Sequence, residues 1–104
     1  MIKVTVLYPN EEGKKFDHGY LSTTHRDLVH GLLDSMGLVK SEMEKGVSGT
    51  DPNAPPPFVA LVHLYFNTAE EVHAAFTDHA GAIMGDIANY TDIKPQFQIS
   101  ETLT

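Results

Sequence analysis

Apolar and polar positions divide the chain into strand-like and helix-like stretches. In residues 2–8, apolar side chains occupy every second position, which predicts a β-strand with one buried face. Residues 58–66 are apolar on both faces except at His63, as expected for a strand at the centre of a sheet. Residues 93–100 alternate again, whereas residues 38–47 alternate only roughly, as an edge strand does. The pattern therefore predicts four strands.

The first predicted helix begins at Asp17, a favourable N-cap residue, and runs to about Met36. Gly37 follows at the position where a left-handed residue commonly ends a helix. Tyr20 borders the stripe that is predicted to be buried, which comprises Leu21, His25, Leu28, Val29, Leu32 and Met36. A hydroxyl and an imidazole therefore come close together on a flank that faces the protein interior.

The second predicted helix begins at a capping box, in which Thr68 is followed three residues later by Glu71. Its buried stripe comprises Val72, Phe76, His79, Ala80 and Ile83. Glycines weaken the far end of this helix, so residues 85–91 are expected to form a structured turn. Within such a turn, Asp86 and Asn89 would bond to nearby backbone groups.

The elements follow one another as strand, helix, strand, strand, helix, strand. This order predicts one α+β domain over residues 1–104 with the ferredoxin-like β-α-β-β-α-β fold, a four-stranded antiparallel sheet with both helices on one face. The other face would carry Leu7, Leu61, His63 and Tyr65, which are together too apolar to remain in water. We therefore expect a homodimer, a dimeric α/β barrel in which two sheets pack face to face and enclose a partly apolar space.

Composition narrows the classes of partner and chemistry. The 104 residues carry 14 acidic and 7 basic side chains, and the formal net charge of -7 disfavours nucleic acid as a partner. The absence of cysteine excludes disulfides, thiol nucleophiles and thiolate metal sites. No apolar run approaches the ~20 residues that cross a bilayer, and the first residues lack the regions of a signal peptide. A cytoplasmic protein without membrane contact is expected.

His25 is the strongest candidate for a catalytic group, because imidazole titrates near neutral pH and can transfer protons without a cofactor. Tyr20 could donate a hydrogen bond to a substrate oxygen. The alternative is that His25 is a core histidine bonded to a backbone carbonyl and that Tyr20 only packs. His63 and Tyr65 are expected to line the cavity or the dimer interface, and Tyr90 could close the mouth of a cavity.

Motifs for cofactors are weak or missing. No two histidines have the i, i+4 spacing that places two imidazoles on one helical face for zinc. The glycine-containing segment Gly46-Val47-Ser48-Gly49 lacks the lysine of a phosphate-binding loop. Neither a metal nor a nucleotide cofactor is therefore expected, although a single histidine could ligate haem iron.

Four segments have a recognisable combination of residues: Met1-Ile2-Lys3-Val4 with Tyr8-Pro9, Phe16-Asp17 with Tyr20 and His25, His63-Leu64-Tyr65-Phe66, and Ile83-Met84-Gly85-Asp86-Ile87-Ala88-Asn89-Tyr90-Thr91. Through them the whole chain resembles the EthD family of dimeric α/β-barrel proteins. The resemblance implies a paired barrel and places the matching tyrosine and histidine at a cavity. Members of this family are associated with ether degradation, including that of ethyl tert-butyl ether, and many are labelled as reductases. Related barrels include cyclases, isomerases, monooxygenases and haem-handling proteins.

Two positions depart from the family pattern. The family usually has His-x-Pro-Leu where this chain has His25-Arg26-Asp27-Leu28, and Ala88 stands where a proline is common. Because proline removes a backbone donor and kinks a helix, its absence predicts a straighter first helix around His25.

The combined expectation is a small protein that binds or transforms an apolar oxygenated or aromatic metabolite in the barrel cavity. His25 would move a proton and Tyr20 would polarise an oxygen, as in cyclisation, dehydration or isomerisation. Two alternatives stay open. One is a non-catalytic protein that holds a metabolite for a partner oxygenase, and the other is an oxidative or haem-handling role.

Overall fold

The structure, a computed structural model, describes all of residues 1–104 and has the element order β-α-β-β-α-β. The four strands are β1 (Ile2–Pro9), β2 (Lys40–Lys45), β3 (Phe58–Phe66) and β4 (Gln96–Glu101). All neighbouring strands are antiparallel, and their order across the sheet is β2-β3-β1-β4. The predicted central strand and the predicted edge strand over residues 38–47 are therefore confirmed, as is the ferredoxin-like fold.

The first helix, α1, covers residues 18–36 and changes its winding along its length. An α-helical turn, His18–Tyr20, leads into a π-helix, Leu21–His25, then a second α-helical stretch, Arg26–Leu33, and a closing 3-10 turn, Asp34–Met36. In the π segment, the N–H of Arg26 donates to the carbonyl of Leu21, five residues back.

Hydroxyl groups explain part of this wide turn. Ser22 Oγ donates to the His18 carbonyl at 3.0 Å, and Thr23 Oγ1 donates to the Gly19 carbonyl at 2.7 Å. Such bonds compete with the backbone for carbonyls and bend helices, and π turns often occur at functional positions. The helix therefore widens around His25, whereas a helix straighter than that of proline-containing members stays a prediction.

Both predicted ends of α1 are confirmed. Asp17 accepts a hydrogen bond from the Tyr20 N–H at 3.0 Å, and Gly37 ends the helix with a φ of 104°. The buried residues of the helix are Leu21, His25, Val29 and Leu33. The predicted stripe is thus correct at three positions, whereas Leu28, Leu32 and Met36 are half-buried.

The second helix, α2, spans Ala69–Ile87 and begins with the predicted capping box. It continues through Gly85, so the prediction of a turn over residues 85–91 is wrong at its start. Burial explains the extension, since Ile83 is buried and Ile87 is half-buried, and their contacts offset the cost of about 1 kcal/mol for a glycine in a helix. Asp86 consequently lies in the last helical turn.

The final strand starts three residues later than predicted. Ile93 is buried, with 3% of its surface exposed, but its N–H donates to Thr91 Oγ1 instead of to a neighbouring strand. Pro95 has no N–H for a ladder bond, so pairing of β4 with β1 begins at Gln96.

The two faces of the sheet have different surroundings. Both helices cover one face, and this layer contains a core of 16 buried apolar residues. The opposite face carries the alternate side chains of the two central strands, among them Leu7, Leu61 and His63, which are all half-buried. Neither helix combines the length and apolar character that a membrane-spanning segment requires.

Candidate active site between the helices

Three side chains donate hydrogen bonds to the carboxylate of Asp86. His25 Nδ1–H donates to Asp86 Oδ2 at 2.8 Å, and the Tyr20 hydroxyl donates to Oδ1 at 2.7 Å. Asn89 Nδ2 donates to the same Oδ1 at 2.8 Å. The cluster therefore links the π segment of α1 with the last turn of α2, across 61 residues of sequence between His25 and Asp86.

The local fold explains why these groups meet. Tyr20 lies at the end of the first α-helical turn and His25 at the end of the π segment, so one wide turn separates hydroxyl and imidazole. Asp86 follows the buried Ile83 by three positions, which keeps it on the inner side of α2. Asn89 comes from the turn directly after the helix.

Hydrogen bonding determines the charge of this cluster. Burial alone raises the pKa of Asp86, but the bonds from Asn89, His25 and Tyr20 outweigh it and hold the pKa below its ordinary value. The same carboxylate raises the pKa of Tyr20, because the hydrogen bond favours the protonated phenol. Asp86 is therefore an anion that orients the ring of His25, and the proton of the Tyr20 hydroxyl is engaged by it.

The second ring nitrogen of His25 has no protein partner. His25 is 4% exposed, yet no fully buried side-chain nitrogen or oxygen in the molecule lacks a hydrogen bond. Nε2 must therefore reach open space. His25 borders a small, partly open cavity of about 20 Å³ between the helices and the sheet, whose other walls are apolar side chains and Tyr8. With Nδ1–H held by Asp86, Nε2 is free to accept a proton.

Aromatic side chains close one side of this region. The Tyr90 ring lies 4.8 Å from the His25 ring and 5.8 Å from the Tyr20 ring, with which it is stacked. Its hydroxyl bonds to that of Tyr8 at 2.5 Å, and both tyrosines are 1% exposed. Burial raises the pKa of Tyr8 to about 12 and raises the pKa of Tyr90 as well. Both phenols are therefore neutral at physiological pH, and one of them donates to the other.

The other predicted site residues lie elsewhere. His63 and Tyr65 are on the open face of the sheet, where His63 bonds to Thr5 Oγ1 and to Glu44 Oε1, both at 3.1 Å. The Tyr65 hydroxyl donates to Glu42 Oε1 at 2.7 Å. The sheet separates them from His25, Tyr20 and Tyr90. That His63 and Tyr65 line a cavity or a dimer interface stays a prediction.

Sequence reasoning missed the groups that organise the site. Asp86 and Asn89 were expected to bond to local backbone, but both belong to the side-chain cluster. The sequence does contain a signal for Asp86. It lies three residues after Ile83, so the buried stripe of α2 reaches it if the helix continues that far. Tyr8 was assigned to the buried face of β1, and a buried hydroxyl needs a partner such as Tyr90.

Metal ligation has little support in this arrangement. No group of three or more histidine, cysteine, aspartate or glutamate side chains comes close enough to hold a metal ion.

Comparison with known proteins identifies relatives of the whole fold. A structure described as an EthD-like protein from Ralstonia eutropha JMP134 is 44% identical and superposes with a TM-score of 0.92, with 99% of this chain and 92% of that chain covered. An ethyl tert-butyl ether degradation (EthD) family protein from Bacillus halodurans C-125 is 20% identical with a TM-score of 0.71, over 99% of both chains. An Arabidopsis thaliana protein, 11% identical with a TM-score of 0.71 over 100% of this chain and 97% of that one, shares the fold.

A search of curated proteins returns no match. The EthD domain, in contrast, matches residues 11–94, which include the π segment, the central strand and the Asp86 cluster. The chain therefore belongs to the EthD family.

Proposed function

We propose that this EthD protein performs proton transfer on a small apolar metabolite, with His25 Nε2 as the acid or base. The observation that carries the proposal is the His25–Asp86 pair, whose side chains are only 5% and 12% exposed. The second ring nitrogen of His25 has no hydrogen-bond partner, and the residue borders an apolar cavity. A carboxylate at Nδ1 fixes the tautomer of an imidazole and stabilises it when it is protonated. No cofactor is required for such a step.

In this proposal, Tyr20 positions the catalytic pair. Its hydroxyl donates to Asp86 and its ring stacks on Tyr90, so it holds the carboxylate in place instead of donating to the substrate. Cyclisation, dehydration and isomerisation of an oxygenated or aromatic compound are all reactions that one correctly placed base can start.

A Kemp elimination tests the proposal without knowledge of the natural substrate. In a nitrobenzisoxazole, a base removes the ring C–H proton while the N–O bond breaks, and the product is a coloured cyanophenolate. The wild-type protein should accelerate this reaction. The rate with His25→Ala should be roughly 100-fold lower, which is the low end of the contribution of general-base catalysis. Asp86→Asn should retain folding but lower the rate, because the imidazole loses its charged partner.

His30 provides the matched control. It also bonds to an aspartate through Nδ1, but on the protein surface. His30→Ala should therefore keep the wild-type rate. Equal rates for the wild type and His25→Ala would contradict the proposal, and ligand binding that survives in His25→Ala would then favour a non-catalytic binding protein.

We also propose that two copies pair through the open face of the sheet. In support, Leu7 and Leu61 form an apolar centre on this face, and the polar contacts of His63 and Tyr65 surround it. Light scattering should give twice the chain mass of 11.4 kDa. Leu61→Lys, which places a charge in that centre, should shift the mass towards one chain, and a wild-type monomer at micromolar concentration would contradict the pairing.

A further inference from the structure

Two side chains lie where three open spaces of the molecule meet. The inner cavity beside His25 is one of them. A groove of about 210 Å³ on the surface between α2 and β4 is the second, and a cleft of about 380 Å³ around the end of α2 is the third. Met84 and Phe97 border all three. They are therefore placed as a gate between the outside and the inner cavity.

The exposure of these two residues fits a movable gate. Met84 is 38% exposed and Phe97 is 46% exposed, so neither is held on all sides by the core. Methionine has three rotatable bonds and adapts easily to a changed contact. Phe97 belongs to β4, an edge strand that pairs only with β1.

The opposite side of the cavity is closed. A polar cleft lined by Lys15, His18 and Asn89 approaches the site from that direction and ends at Tyr90. Tyr90 is 1% exposed, packs against Phe16 and is bonded to Tyr8. Passage on this side would break a buried hydrogen bond and an aromatic cluster, whereas passage between Met84 and Phe97 breaks neither.

We infer that the ligand reaches His25 through the seam between α2 and β4, with Met84 and Phe97 as the gate, and that it is an apolar molecule with one oxygen. This inference rests on the proposed function, because it takes the ligand to be the substrate on which His25 acts. The inner cavity, at about 20 Å³, holds little more than one water, so the gate must open before a ligand can enter.

The walls define the class of ligand. The groove outside the gate is apolar except for His73, and inside it the Tyr8 hydroxyl is engaged by Tyr90. Of the two side chains at the inner end that carry a polar atom, His25 is thus the one whose ring nitrogen Nε2 has no hydrogen-bond partner. An aromatic or branched aliphatic ligand with a single hydroxyl or carbonyl oxygen satisfies this atom and leaves no buried polar group unpaired.

Carbethoxylation by diethyl pyrocarbonate tests the route directly, because this small uncharged reagent modifies an unprotonated imidazole nitrogen. Peptide mass spectrometry on the whole chain follows each histidine separately. Phe97→Ala and Met84→Ala should raise the rate at His25 by roughly fivefold, equivalent to about 1 kcal/mol. Phe97→Trp should lower it. A faster reaction in Phe97→Ala and a slower one in Phe97→Trp would distinguish gating from partial unfolding, because partial unfolding would accelerate the modification in both variants.

Ile99→Ala is the matched control. Ile99 is on the same strand, is 49% exposed and lines the outer groove, but it does not border the inner cavity. Its variant should leave the His25 rate unchanged, and His79, which borders none of the three spaces, should react equally in all proteins. An unchanged His25 rate in both gate variants, or an acceleration by Ile99→Ala of the same size, would overturn the route.

Protection by paired probes tests the ligand class. β-Naphthol should slow the modification of His25 at lower concentration than naphthalene, since only the former carries an oxygen for Nε2. Equal protection by both compounds, or protection by neither, would overturn the assignment of a single-oxygen ligand. The modification rates do not depend on catalytic turnover. If the Kemp elimination failed but the Met84 and Phe97 variants still changed the modification rate of His25, the proposed catalysis would be wrong and the proposed entry route would still be supported.

Discussion

Two histidines of α1 each bond to an aspartate at the same distance but in different surroundings. His25 Nδ1 is 2.8 Å from Asp86, and His30 Nδ1 is 2.8 Å from Asp34. The side chains of the first pair are 5% and 12% exposed, whereas those of the second are 19% and 62% exposed. Distance therefore does not distinguish them, but burial does.

The two pairs also differ in what the second ring nitrogen does. His30 Nε2 bonds to Ser41 Oγ at 2.7 Å, so both nitrogens of that ring are engaged. His25 Nε2 is without a partner, and the residue borders the inner cavity. A histidine bonded to an aspartate is a candidate for catalysis only if its second ring nitrogen is free and water is excluded from the site. Of the two pairs, only that of His25 meets both conditions.

The largest expected difference concerns stability. Asp86→Ala removes the common acceptor of the buried His25, the half-buried Tyr20 and the exposed Asn89. It should cost about 3 kcal/mol, chiefly because the buried imidazole loses its charged partner. Asp34→Ala breaks an exposed pair and should cost less than about 0.5 kcal/mol. Urea denaturation measures both. Similar losses for the two variants would show that the Asp86 cluster is not a buried network.

Next in size is the effect of alkaline pH on the aromatic wall behind His25. The pKa of Tyr8 is raised from 10.0 to about 12, so between these values the unfolded chain releases a proton that the folded chain retains. Stability contributed by Tyr8 is complete below pH 10 and is lost as the pH rises towards 12. Denaturation curves at a series of pH values should show this slope, and Tyr8→Phe should reduce it. A variant with the wild-type slope would contradict the role of burial.

A smaller effect is expected in acid. Because the folded pKa of Asp86 lies below its ordinary value of 3.8, its contribution to stability is present above that value. The contribution is lost as the pH falls through the folded pKa. Asp86→Asn should therefore flatten the acid limb of the stability profile, measured by urea denaturation at a series of pH values. An acid limb of wild-type steepness in this variant would contradict the effect of the three hydrogen bonds on Asp86.

Glycines beside the two pairs give the smallest effect. Gly85 precedes Asp86 and Gly31 follows His30, and a methyl group added at either position meets no atom within 4 Å. Both lie within helices, so Gly85→Ala and Gly31→Ala should each stabilise the protein by about 0.5–1 kcal/mol. Thermal denaturation tests this. Destabilisation by Gly85→Ala alone would mean that α2 does not continue through this residue.

Local patterns predicted the fold well because periodicity and caps act over short distances. The capping box at Thr68, the left-handed Gly37 and the two faces of β3 all depend on neighbours within a few residues. The π segment was not predictable in this way. Ser22 and Thr23 have several possible partners, and only the folded helix shows which carbonyls they engage.

The candidate site was predictable only in part. The i, i+4 spacing of His30 and Asp34 makes their contact visible in the sequence, whereas the partner of His25 is 61 residues away. His25 and Tyr20 could be chosen for their chemistry and phase on the helix. Their common partner, Asp86, could not be predicted because Gly81 and Gly85 made the helix appear to end before it.

The most direct test of the central claim is the tautomer of His25, read from a proton–nitrogen correlation NMR spectrum of the histidine rings. We expect a proton on Nδ1, held by Asp86, and an unprotonated Nε2 in the neutral ring. Asp86→Asn should alter the His25 signals and leave those of His30 unchanged. A neutral His25 with its proton on Nε2 and a bare Nδ1 would contradict the account, because the nitrogen at the cavity could then not act as a base.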